Sequence, residues 1–158
     1  MKTALYLASF FPLAFAAPSL NTRSNSDGNW FIENLVERDN SNPHVESQVY
    51  FTLYDGPIHN ASTVSTQCTF KTMNSTVSVD TFVPCNNQNY AFELARNPGT
   101  PRDLVVSKSY THPTTGIVWA KQYGHLYINF QCNKVSAEET DCTSEHIQEM
   151  PTGPLTGA

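Results

Sequence analysis

The sequence predicts an all-β chain: a single antiparallel β-barrel or sandwich stapled by two disulfides. Three observations predict it. Short segments alternate apolar and polar residues with a period of two, and clusters of Gly, Pro, Asn and Asp separate them. No segment sustains a 3.6-residue apolar repeat, and 86–94 has room for one helical turn at most. Four cysteines, Cys68, Cys85, Cys132 and Cys142, all lie beyond the apolar N-terminus, and an even number reads as a disulfide framework in a secreted chain.

Residues 1–16 read as a secretory signal. Met1-Lys2 is a short basic start, an apolar run follows to Phe15, and Ala14-Phe15-Ala16 offers the small residues of a cleavage site. The run is shorter than the roughly 20 apolar residues a spanning helix needs, so release from the cell is expected and no membrane partner. Residues 17–29 are rich in Ser, Asn, Pro and Gly without periodicity, and read as a disordered leader. The folded domain is expected over 30–150, with 151–158 as a flexible tail. That length is one domain.

The strands follow in order. Trp30-Phe31-Ile32 opens the first, over 30–36, and 37–44 is a turn cluster. Over 45–54, Val49, Phe51 and Leu53 share one face, with Tyr50, Thr52 and Tyr54 on the other. Over 63–73, Val64, Thr66, Cys68 and Phe70 share a side; 77–83 returns after the Asn74-Ser75 turn. Tyr90, Phe92 and Leu94 form the next face. Segments 104–110, 117–123 and 126–130 follow, the last two separated by Gly124, and 143–150 could close the sheet. Successive strand side chains point to opposite faces, and β-branched and aromatic residues suit that half-buried surface.

Charge and motifs narrow the function. The net charge is −5, and loss of Lys2 with the signal makes it −6. That mild acidity argues against nucleic acid, which wants a basic stripe. Acid hydrolysis needs two carboxylates held about 5–10 Å apart. Glu33, Glu37, Glu46, Asp55, Asp80, Glu93 and Asp103 are available, and each reads as a solubility charge. The histidines are His44, His59, His112, His125 and His146, and none has metal-ligand spacing. His59, Glu93 and Arg96 could form an acid–base set, the basis of an alternative reading as a small secreted hydrolase. Neither G-x-S-x-G nor a phosphate loop occurs. No catalytic residue, metal or cofactor is therefore expected.

Trp30, Trp119, Tyr50, Tyr54, Tyr123 and Tyr127 could line a sugar platform or a small-ligand pocket, but core and cross-strand packing explains them more simply. Asn60-Ala61-Ser62 and Asn74-Ser75-Thr76 are sequons, which mark exposed turns open to glycosylation at Asn60 and Asn74. Four cysteines allow three connectivities. Local pairing is the simplest, each bridge closing a short loop worth up to about 3 kcal/mol.

Taken together, the Trp30-Phe31-Ile32 strand, Val49-Tyr50-Phe51-Thr52-Leu53, Cys68-Thr69-Phe70, Cys85 after Pro84, and the late Cys132 and Cys142 form a recognisable order. It resembles the Alternaria major-allergen family of small secreted fungal proteins, over roughly 30–147. The resemblance implies an antiparallel β-barrel with bridges Cys68–Cys85 and Cys132–Cys142. Some members carry a further N-terminal cysteine that joins two barrels; none precedes Cys68 here, so a monomer is expected. The resemblance also implies a non-enzymatic allergen, effector or elicitor acting on plants. Its implied partner is a host extracellular protein such as a thaumatin-like defence protein, with a small phenolic ligand as the alternative. No binding residues carry over.

Overall fold

A computed structural model describes residues 28–58, 60–95 and 101–157. The expected signal and most of the expected leader lie outside them. Eleven strands and no helix make up the described residues: β1 (Trp30–Asn40), β2 (Ser47–Asp55), β3 (Val64–Thr72), β4 (Val79–Pro84), β5 (Tyr90–Ala95), β6 (Arg102–Thr111), β7 (Val118–Ile128), β8 (Gln131–Lys134), β9 (Glu139–Thr143), β10 (Ile147–Met150) and β11 (Thr156–Gly157). All pair antiparallel, in two sheets. The six-stranded sheet runs β3-β2-β1-β9-β8, with β10 also on β1; the five-stranded sheet runs β11-β7-β6-β5-β4. The sheets stack as a sandwich and do not close into a barrel.

The core lies between the sheets because each strand buries alternate residues. Trp30, Ile32, Val49, Phe51 and Leu53 come from one sheet, and Phe92, Leu94, Leu104, Val106 and Ile128 from the other. Phe51 and Phe92 meet edge to face with ring centroids 5.1 Å apart. Full burial of side chains of this size stabilises by about 1.5–3 kcal/mol each.

One long first strand pairs with β2 along one side and serves two partners in turn along the other. Trp30 to Glu33 pairs with β10, and Val36 to Asn40 with β9. The change falls at a bulge between Glu33 and Val36, where Asn34 has a φ of 55°. Asparagine tolerates this left-handed conformation better than most residues. Its amide donates to the His146 carbonyl at 3.1 Å, so the backbone group freed by the bulge is satisfied.

Several expected boundaries need correction. Residues 37–40 continue β1 instead of turning. Gly124 does not separate two strands: it sits inside β7, which runs through to Ile128. A Cβ there would lie 2.6 Å from Met150 Sδ and 3.0 Å from Trp30 Cε3, so the glycine answers a packing demand. The end of the domain moves as well. Thr152 bridges to Gly124, and β11 pairs Thr156 and Gly157 with Lys121 and Ala120. Two residues of the segment expected as a flexible tail, Thr156 and Gly157, thus form a strand of the five-stranded sheet. The single span 143–150 resolves into the last residue of β9 and the whole of β10, and the β8–β9 hairpin over 131–143 was not expected from the sequence.

Both disulfides pair locally, Cys68–Cys85 and Cys132–Cys142. The first joins edge strand β3 of one sheet to the residue after β4 of the other, so it ties the sheets together. The second joins directly opposed residues of the β8–β9 hairpin within one sheet.

Candidate functional site

The alternation that builds the core also builds two outer faces, and they differ in chemistry. On the five-stranded sheet, burial of Leu104, Val106 and Ile128 turns Tyr123, His125 and Tyr127 outward. Phe82 of β4 and Tyr123 of β7 approach to 6.1 Å between ring centroids across the two intervening strands. Those strands carry Ala91 and Ser107 in the same register row as Tyr123. The rings roof over these small residues, and Ser107 is buried although it lies on the outer face. Tyr127 is 68% exposed, and His125 Nδ1 lies 3.4 Å from Asp103 Oδ1. The result is an aromatic strip on rigid strands.

On the six-stranded sheet, the outer face is polar. A shallow groove of about 360 Å³ is lined by Asn34, Gln48, Tyr50, Thr52, Gln67 and Thr69, with Phe51 at its floor. Ion pairs and hydrogen bonds surround it. Tyr54 donates to Glu33 at 2.8 Å, Arg38 donates to both oxygens of Asp141 at 2.7 and 2.9 Å, and Lys71 meets Glu46 at 2.9 Å. The bond to Glu33 raises the Tyr54 pKa, and the bond to Asp141 raises that of Arg38.

Two charged clusters link the sheets, and both correct the expectation that the carboxylates merely keep the chain soluble. Glu37, fully buried on β1, pairs with Arg102 of β6. At the other end Asp55 of β2 accepts from Tyr90 at 2.7 Å and pairs with Lys108 of β6. The Lys108 ammonium also lies 4.8 Å from the Tyr110 ring centroid, a cation–π contact. Burial first, then the bond to Asp55, drives the Tyr90 pKa upward. Trp119 stacks at a tilt 6.0 Å from Tyr110 at this rim and is 54% exposed.

The aromatic residues singled out in the sequence therefore do not converge on one pocket. Trp30 is in the core, Tyr54 is bound to Glu33, Tyr50 lines the groove, Trp119 stands at the rim, and Tyr123 and Tyr127 lie on the opposite face. Of the acid–base set, His59 and Arg96 lie outside the described residues, and Glu93 is on β5 in the register row of Val105 and His125. Among the described residues, no group of three or more His, Cys, Asp or Glu side chains could hold a metal ion. Asn60 and Asn74 are both exposed, in the turns at either end of β3. Sequence reading missed Phe82 and the groove; the outward parity of 48, 50 and 52 was the available signal, but their partners came from a different strand.

No protein-family model and no curated protein matches the sequence. Solved structures do. The crystal structure of the Alternaria alternata allergen Alt a 1 superimposes with a TM-score of 0.58 at 11% identity, covering 88% of this chain and 95% of that one. A second crystal structure of the Alternaria alternata major allergen Alt a 1 gives 0.57 at 11% identity, covering 84% and 95%. With so few residues shared, the likeness is one of architecture: this chain is built on the Alt a 1-like fold.

Proposed function

We propose that the mature chain is a secreted, allergen-like fungal effector or elicitor that binds a host extracellular protein and modulates plant defence without catalysis. The observation that carries this reading is the aromatic strip of Phe82, Tyr123, His125 and Tyr127 on the five-stranded sheet. Aromatic anchors dominate interface energetics, and anchors already fixed on strands cost little ordering on binding. Two disulfides suit an oxidising compartment, where such a partner would be met. The net charge, −5 for the full sequence and −6 once Lys2 is removed, favours a cationic partner, and the resemblance suggests a thaumatin-like defence protein. Glycans on Asn60 and Asn74 would sit at the ends of β3.

Calorimetry with a purified plant thaumatin-like protein tests the reading. Binding is expected, and Tyr127→Ala should weaken it by about tenfold or more, a loss of at least about 1.4 kcal/mol. No binding, together with hydrolysis of an RNA or glycan substrate, would sink it.

The rim supports a second reading, a small phenolic ligand stacked on Trp119 beside Tyr110 and Lys108. Trp30 is sealed in the core, so fluorescence quenching on titration with a phenol should vanish in Trp119→Phe. Quenching that survives the substitution would remove this reading.

A further inference from the structure

The groove on the six-stranded sheet has a chemistry of its own. Its polar lining is three carboxamides (Asn34, Gln48, Gln67), two hydroxyls (Thr52, Thr69) and one phenol (Tyr50), with no formal charge. Among the described residues, none of these six side chains hydrogen-bonds to another protein group. The charged and phenolic neighbours are spent on one another: Tyr54 on Glu33, Arg38 on Asp141, Lys71 on Glu46. An island of unspent, uncharged donors and acceptors is thus ringed by groups engaged with one another and net negative, since the Tyr54 phenol leaves Glu33 charged and Arg38 faces both Asp141 and Glu139. That rim repels an anion, and the lining itself offers no charged side chain to a cation.

We propose that this groove binds a neutral oligosaccharide, a segment of a β-linked glucan chain. Each carboxamide offers both a donor and an acceptor, as does each hydroxyl, which matches ligand hydroxyls that also do both. The strand geometry spaces them. Gln48, Tyr50 and Thr52 project from one face of β2 at intervals of about 6.6–6.8 Å, and neighbouring strands are about 4.8 Å apart. Register places Thr69 beside Tyr50 and Gln67 beside Thr52. Two parallel rows of polar groups result, a ladder suited to successive sugar rings. The Tyr50 ring, 37% exposed, offers an apolar surface for the C–H face of a pyranose. Asn34 completes the wall from the bulge in β1, where its positive φ turns the chain out of regular pairing. Bulges recur beside binding sites because they re-aim a side chain. The groove is shallow and open, which fits a chain lying along the sheet better than an enclosed small molecule. It is on the opposite side of the sandwich from the aromatic strip, so it does not depend on the protein-binding reading.

Titration of the ¹⁵N-labelled mature protein with cellohexaose and with laminarihexaose, followed by amide NMR, tests the site. Saturable shifts are expected in the side-chain amides of Asn34, Gln48 and Gln67, with a Kd below about 1 mM. Tighter binding of cellohexaose assigns the ligand to β-1,4-linked glucan, and of laminarihexaose to β-1,3-linked glucan. Tyr50→Ala should weaken binding about tenfold. Thr69→Val, which keeps the side-chain shape and removes one hydroxyl, should weaken it about threefold. The proposal is overturned if neither hexaose shifts these amides at about 10 mM, well above the expected Kd. It is equally overturned if both variants bind as the parent does, or if anionic oligogalacturonate binds as well as the neutral sugars.

Discussion

The two disulfide-bearing regions of this sandwich have similar loops and different surroundings. Cys68–Cys85 spans 17 residues and Cys132–Cys142 spans 10, so chain entropy alone assigns each about 3 kcal/mol. Cys68 and Cys85 are both buried, and their bridge joins the edges of two sheets. Around it, the Asn86 amide donates to the Gln67 carbonyl at 2.8 Å and the Asn87 amide to Thr66 Oγ1 at 2.9 Å. Cys132 is on β8, an edge strand exposed along its whole length. Its bridge joins residues that the hairpin already holds opposite each other. A cross-link adds to global stability when it restrains segments that separate only on complete unfolding. One inside a local hairpin chiefly restrains local opening.

The largest test of this contrast lies in the inter-sheet ties themselves. Glu37→Ala removes one partner of a buried ion pair, and should lower the unfolding free energy by about 3–5 kcal/mol in urea denaturation. A loss below about 1 kcal/mol would mean that water reaches Arg102 and that the pair behaves as a surface one.

Next come the bridges. Paired Ser substitution at Cys68 and Cys85 should cost about 3 kcal/mol of global stability. The same change at Cys132 and Cys142 should move the global midpoint little, while hydrogen exchange accelerates in β8 alone. Equal losses from the two pairs would show that loop entropy, and not location, sets their worth.

Gly124→Ala forces a methyl group against Met150 and Trp30, both fully buried. Overpacking of this kind typically costs about 1–3 kcal/mol, and thermal unfolding would read it. An unchanged midpoint would show that the tie between β7 and β10 has slack.

The smallest effect is at Tyr90, and it appears only in alkali. Its phenol is held protonated in the folded state, by burial first and by Asp55 second, whereas in the unfolded chain it ionises near its ordinary pKa of about 10. The raised pKa therefore contributes stability that is complete below about pH 10 and lost as pH rises further. Unfolding free energies measured from about pH 8 to about pH 11 should fall less steeply in Tyr90→Phe than in the parent. Parallel curves would exclude Tyr90 as the source.

Much of this architecture was legible because strand periodicity is a local property. Val49, Phe51 and Leu53 turn inward as their alternation requires, and so do Tyr90, Phe92 and Leu94. Where the reading failed, a distant partner decided. Glu37 looks like a turn residue until Arg102 arrives from β6, 65 residues later. Gly124 looks like a break until Met150 and Trp30 pack on it. Residues 151–157 look like a tail until β7 offers them an edge. The aromatic strip follows the same rule: Tyr123 and Tyr127 were visible candidates, but their joining with Phe82 needs four strands laid side by side.

The sequence by itself determined the all-β class, the inward parity of the principal strands and the four cysteines. Each follows from residue type and spacing along the chain, which physical chemistry reads without knowing what lies across the fold. Only the tertiary structure decided that the sheets form an open sandwich, which carboxylates are buried and paired, and how the two outer faces divide into aromatic and amide surfaces. Those features depend on strand order and register, set by contacts between residues tens of positions apart, and local pattern does not encode which distant strand will supply the neighbour.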